Sequence, residues 1–503
     1  MTGHLDETDR RGDGEGEGRT GGTPARRAVL PLATPGGRRR LLERLADPEQ
    51  MREVFGRELP RLAEGPIRVT RCNAKLRRRR STFEQGRVEI VYKVGVEQGG
   101  GGGREYVLLG TAPESAGFLR AEEERCRALR GHPAVVPFRQ AAAHVEELGL
   151  ALRLFPLDPA LPALAELTGS GGALLLSPYL SECRAGARIE RVAWELRQYK
   201  PFKRAVLRLT ASFSGPCAGP RSLYAKLFGD DRGARFHAEL AALWSAARGA
   251  RSLRTPEPLG YDAGRRMLLL SEAAGPRHLI DWIKSLENDR ALPPGVDFAR
   301  AERCMAVAAE ALAELQRSGL RPATRRPFAR ELARLEKERR VLRGSPRRRH
   351  PELVRAAEEL VERLEALAPS REELLPAHGG FRHKQTVGDE DSLTVIDWDG
   401  LCLADPALDA ATFLLRLRQE PLRESGSAPE MERLAEAFRR AFLARRPEVP
   451  AGRLALYEAL VLTEGMLRSF RRANRDEEKP RRIRNQAQAA SEALDRAGDG
   501  RGA

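Results

Sequence analysis

The 503-residue sequence predicts an α+β protein, with a strand-rich N-terminal part followed by a helical C-terminal part. Three observations carry this expectation. Strand-like alternation recurs up to about residue 271 and almost vanishes after Pro276. Helical apolar periods dominate from residue 298 onward. Between two helical runs, residues 375–404 form one short island of strand-like, apolar and polar segments.

Residues 1–28 are rich in Gly, Arg and acidic side chains with almost no apolar content, which predicts disorder. A weak helical period follows over 41–62. Val88, Ile90, Tyr92, Val94 and Val96 alternate strictly, and a glycine tract at 99–103 leads to Tyr106, Val107, Leu108 and Leu109, so a hairpin is expected. A helix over 118–129 and a strand over 148–155 come next, and the glycines at 169–172 read as a linker. A second unit repeats the order: strands at 189–198, 205–213 and 223–228, a helix over 233–248, then strands near Leu259 and at 267–271. Setting Tyr106 on Tyr224 also sets Phe118 on Phe236 and Leu108 on Lys226. Either a duplication, leaving the first unit as a degenerate copy, or convergent patterning explains that match. Helices are expected at 298–317, 327–342, 352–367, 431–442, 454–473 and 483–497. The resulting plan is a disordered leader and short helix (1–60), an α+β domain (61–180), a strand-rich lobe (181–275) and a helical lobe (276–503) with its island at 375–410.

Lys plus Arg number 87 against 71 Asp plus Glu, a formal charge of +16, yet only nine of the basic residues are lysines. No apolar run approaches the ~18 residues of a membrane span, and no apolar core follows the N-terminal charges as in a signal peptide. The six cysteines stand singly, without CxxC or paired histidine spacing, which fits reduced buried thiols and a cytoplasmic setting. Basic runs at 38–40, 75–80 and 347–349 lack the interleaved aromatics that stack bases, so nucleic-acid binding is the weakest reading.

The chemistry concentrates in the island. It reads His378-Gly379-Gly380-Phe381-Arg382-His383-Lys384-Gln385, then Ile396-Asp397-Trp398-Asp399-Gly400, then Asp405-Pro406 with Asp409. A carboxylate ending an apolar strand, as Asp397 does, is a hard oxygen ligand suited to a divalent cation. Asp405 and Asp409 suit the start of a helix. Upstream, Lys226 stands inside the apolar run Leu223–Phe228, where a lysine needs a partner to offset desolvation.

These residues resemble the aminoglycoside phosphotransferase/choline kinase family, a branch of the protein-kinase-like fold. His378, Gly379, Asp397, Trp398, Asp405, Pro406 and Asp409 match its motifs, and the resemblance spans about residues 189–470. It implies a two-lobed kinase-like fold using ATP and Mg²⁺. Lys226 would hold the nucleotide phosphates and Glu239 would orient it, while backbone near Glu272 and Ala274 would meet the adenine. Lys200 and Lys203 would cover the phosphates, and Asp397 with Gln385 would hold the metal. His378 would brace the loop. The family's catalytic Asp falls on Gly380 and its metal-binding Asn on Gln385, so the base is missing; His383, Asp399 or a carboxylate on the substrate are the substitutes to test. Two readings follow. One is a kinase acting on a hydroxyl of a small molecule, and the other is a pseudokinase that binds nucleotide or acts as a scaffold. Eight basic against two acidic residues over 332–350 favour a neutral or anionic acceptor over a polycationic one. No membrane partner is expected.

Overall fold

Alternating β-branched and aromatic residues pair into two five-stranded antiparallel sheets, one in each of the two units into which the chain divides, residues 1–157 and 158–503. The computed structural model describes residues 35–77, 88–99, 103–215, 219–273, 275, 279, 298–343, 351–419, 429–472 and 479–499. The leader expected over 1–28 lies outside the described residues. Among those described, no helix is long and apolar enough to cross a membrane.

In the first unit the strands are β1 (Ile67–Arg77), β2 (Val88–Gln98), β3 (Arg104–Ala112), β4 (Ala142–Val145) and β5 (Leu150–Leu154), in the order β1-β2-β3-β5-β4. The helix expected over 118–129 is split into Phe118–Ala121 and Glu123–Ala128. Two further helices, Pro35–Ala46 and Pro48–Glu58, precede the sheet. Asp47 separates them and caps the second, accepting from the Glu49 and Gln50 amides.

The second unit opens with short helices at Ala163–Thr168, Gly172–Leu176 and Ser181–Arg184, and the glycines expected as a linker at 169–172 fall at the break between the first two. The boundary therefore lies at Leu157 and not near residue 180. Its strands are β6 (Arg188–Lys200), β7 (Arg204–Ser214), β8 (Gly219–Phe228), a two-residue β9 (Leu253–Arg254) that pairs elsewhere, β10 (Pro258–Asp262) and β11 (Met267–Ser271). The sheet order is β6-β7-β8-β11-β10, with helix Arg232–Ala247 between β8 and β10. This is the arrangement of the first sheet, strand for strand.

The strand ends of the two sheets correspond as well. Val88 faces Ala112 as Arg204 faces Phe228, and Leu108 faces Leu154 as Tyr224 faces Leu270. Matching these strand ends sets Gly110 on Lys226, and matching the tyrosines sets Leu108 there; the two positions are two apart in β3, so both are uncharged and share one face. Partners across an antiparallel pair share a face, so Lys226 lies with Val206 and Leu268, and Gly110 with Ile90 and Leu152. In the first unit that face is filled from within. Tyr92 is fully buried, packs edge-on against Phe55 at 4.9 Å and donates its hydroxyl to the Leu45 carbonyl at 3.0 Å. A Cβ at Gly110 would meet the Tyr92 ring at 2.9 Å.

The helical lobe packs helix Phe298–Arg317 against Pro429–Arg445, with Ala407–Gln419 and Ala451–Arg472 beside them. Phe381, 1% exposed, leaves the island to stack on Phe413 at 5.2 Å, which stacks on Phe438 at 4.3 Å. This aromatic stack ties the island's loop to the lobe's core. The island's strands are Leu375–Ala377 paired with Cys402–Ala404, and Thr386–Gly388 paired with Leu393–Val395.

Candidate active site

The loop 378–385 is held by a buried carboxylate. Asp409, 0% exposed, accepts from the amides of His378 (2.6 Å), Gly379 (3.2 Å) and Phe381 (3.1 Å). Its position in the first turn of helix Ala407–Gln419 aims it at the loop. The sequence placed it at a helix start; that it clamps three loop amides was not foreseen. Arg326 holds the same loop from the other side, donating to the Gly379 carbonyl at 2.8 Å while paired twice to Glu331 at 2.8 Å. Gly379 has φ of +75°, and a Cβ there would lie 2.2 Å from the Gly400 carbonyl oxygen. The two halves of the island thus touch backbone to backbone at this glycine.

His378 is buried and its Nε2 lies 3.0 Å from the Ile396 carbonyl, so it braces the loop against the strand end that precedes Asp397. Burial pushes the imidazole below the ordinary histidine value, against the pull of Asp409. Asp397 adopts a left-handed conformation, φ +64°, which Asp tolerates better than bulkier residues and which turns its carboxylate back toward the loop. Gln385 donates to Asp397 Oδ2 at 3.1 Å, and its own Oε1 is buried with no hydrogen-bond partner. Burial raises the Asp397 carboxyl, but Lys226 and the Gln385 amide outweigh it and hold the group below the usual carboxylate range.

Lys226 is 13% exposed at its side chain and reaches Asp399 at 2.7 Å and Asp397 at 3.4 Å. The expected partner Glu239 is elsewhere, accepting from the Ala323 amide at 3.1 Å. Asp399 also receives Arg204 at 2.5 Å, so it bridges two cations and does not merely cap the turn at Gly400. His383 is 2% exposed and borders neither cavity described below, which removes it as an available base. Glu272 borders a cavity but its side chain pairs with Arg208 at 2.8 Å. Ala274 lies outside the described residues.

Two cavities meet at Arg382, Gln385 and Asp397. The larger, about 660 Å³, runs between β8, β11 and the island, with Val206, Leu270, Val387 and Ile396 as apolar walls and Lys226 at the Asp397 end. The other, about 300 Å³, is walled by the loop, helix Phe328–Arg343 and helix Ala451–Arg472. Lys200 and Lys203 border neither; they line a separate cavity of about 330 Å³ with Glu239 and Asp399. Of the basic stretch over 332–350, Arg334 reaches the 300 Å³ cavity, while Arg339 and Arg340 pair with Glu336 and residues 344–350 lie outside the described residues.

Residues 203–454 match the phosphotransferase enzyme family, half of the chain. The chain belongs to that family. The strand-rich and helical parts of the second unit follow the kinase-like plan expected of that family. Solved structures to which the chain is similar include a choline/ethanolamine kinase family protein from Mesorhizobium loti, 18% identical, covering 60% of this chain and 92% of that one with a TM-score of 0.38. Choline kinase from Cryptosporidium parvum Iowa II is 12% identical over 64% and 95% of the two chains, TM-score 0.44. A macrolide 2'-phosphotransferase from Brachybacterium faecium is 16% identical over 62% and 96%, TM-score 0.36. No curated protein matches the sequence.

A pH prediction arises at the helix start. Asp405, 2% exposed, accepts from the Ala407 amide at 2.9 Å, and burial pushes its carboxyl up to about 6. A raised carboxyl means the folded state binds a proton more tightly than the unfolded state, so Asp405 lowers stability as pH rises from about 4 to about 6. Asp405→Asn is expected to flatten that part of the curve, read as Tm between pH 4 and 7. An unchanged slope would contradict it.

Proposed function

We propose that the protein moves the γ-phosphate of ATP to a hydroxyl of a small neutral or anionic molecule. The observation that carries this is the meeting of Lys226, Asp397 and the unpartnered Gln385 oxygen at the junction of two cavities. The apolar-walled cavity suits a nucleotide base, with Lys226 positioned for its phosphates. Asp397 and Gln385 offer adjacent oxygen donors, which fits Mg²⁺. Among the described residues no three His, Cys, Asp or Glu side chains cluster as a closed metal site. An ion held by one carboxylate, one amide and phosphate oxygens is the usual Mg²⁺ arrangement at nucleotide sites. When bound, the cation supplies charge neutralisation for the phosphates. Lys226 would leave Asp399 for the nucleotide, and the Asp409 clamp would keep the loop in place throughout.

The glycine at position 380 supports a second reading, nucleotide binding without turnover, because no side chain there can accept a proton. Phosphoryl transfer rests mainly on positioning and charge, so a missing base slows it by roughly 10²–10⁴-fold and does not abolish it. Mg·ATP binding measured by calorimetry is expected for the native chain and weakened at least about tenfold in Lys226→Ala and Asp397→Ala. Absence of Mg·ATP binding would overturn both readings. Turnover of ATP against hydroxyl acceptors separates them.

A further inference from the structure

The space where the family pattern expects a carboxylate is empty and lined with positive charge. A Cβ at Gly380 would meet no atom within 4 Å, and Gly380 borders the 300 Å³ cavity. That cavity's wall holds Arg204, Arg326, Arg334, Arg382, Arg416 and Arg468 against four carboxylates. Arg326, Arg334 and Arg468 share Glu331 and Glu464, three guanidiniums on two carboxylates. Arg382, two residues from Gly380, makes no ion pair among the described residues, and its Nε is buried without a hydrogen-bond partner. It borders both cavities, at the point where a phosphoryl group would cross from one to the other. A buried guanidinium edge left unmatched is costly unless an anion completes it.

We propose that the acceptor is a hydroxylated phosphate monoester whose own phosphate occupies the space beside Gly380, bound by Arg382, and serves as the proton acceptor the protein lacks. This rests on the phosphotransferase reading above and names its substrate class. In the transfer, the acceptor hydroxyl oxygen forms a bond to the γ-phosphorus as that phosphorus parts from the β,γ-bridging oxygen, releasing ADP. The hydroxyl proton passes to the acceptor's phosphate dianion, which becomes a monoanion and then returns the proton to water. A phosphate monoester suits this role better than a carboxylate because its second ionisation lies near pH 6, close to the working range of a general base. Its three oxygens also match a guanidinium fork.

The test has two arms, run beside the Mg·ATP measurement. In the first, inorganic phosphate is titrated into the full chain. Binding is expected for the native protein and weakened at least about tenfold both in Arg382→Ala and in Gly380→Asp, which puts a carboxylate in the phosphate's place. Unfolding midpoints without ligand establish that both variants are folded. In the second, Mg·ATP turnover is compared between glycerol 3-phosphate, ribose 5-phosphate and glucose 6-phosphate and their unphosphorylated counterparts. The native enzyme is expected to prefer the phosphorylated member of a pair, and Gly380→Asp to reverse that preference. Phosphate binding that is absent, or indifferent to both substitutions, overturns the proposal, as does native turnover favouring the unphosphorylated alcohols. If Mg·ATP fails to bind, the phosphotransferase reading falls, and the phosphate titration still decides whether the anion site exists.

Discussion

Gly379→Ala is expected to unfold or severely destabilise the second unit, by about 3 kcal/mol or more, while Gly380→Ala next to it changes stability by less than about 1 kcal/mol. The first would place a methyl carbon 2.2 Å from the Gly400 oxygen and force an L side chain to adopt φ +75°. Neither element can retreat, because Arg326 holds the Gly379 carbonyl and Asp409 holds its amide. At Gly380 there is open space and no left-handed backbone. Paired thermal or urea unfolding curves of the two alanine variants read the contrast. Similar midpoints would show that the island's two halves are not in contact as described.

Asp409→Ala removes the acceptor of three buried loop amides at once. Each unsatisfied buried donor costs about 1–3 kcal/mol, so a loss of about 3–5 kcal/mol in unfolding free energy is expected, short of the full sum because the loop will partly relax to water. Asp409→Asn retains one acceptor oxygen and should lose about half as much. The loop carries Gln385, so Mg·ATP affinity should fall with stability. Urea denaturation and calorimetry of both variants check this. A stable Asp409→Ala protein with native affinity would mean that Phe381 and its stack alone hold the loop.

Much of this architecture was legible because it is written in local periodicity. Strand β11 and helix Phe298–Arg317 fall where apolar spacing places them. The island was recognised because Asp397, Trp398 and Asp405-Pro406 occur close together, in a stretch where the surrounding helical period lapses. What escaped were contacts between distant segments. The Asp399 bridge to Lys226 and Arg204 spans more than 170 residues of chain, and nothing in local spacing distinguishes it from a turn cap. Glu239 carries the expected residue type on the expected helix, yet its partner is a backbone amide from a separate loop. Arg326 and Arg382 were hidden by abundance, since 78 of the 87 basic residues are arginine.

The two sheets, set side by side, separate what the scaffold needs from what the chemistry needs. The first sheet keeps the same strand order with an uncharged residue where the second has lysine, and seals that face with Tyr92, Phe55 and the helices before it. Such a sheet is therefore self-sufficient once its face is dry. In the second sheet the corresponding face borders the 660 Å³ cavity, with a cation in a strand and aspartates opposite. The first unit is the dry counterpart of the second: on that one face it carries an aromatic seal where the second carries charge and open volume.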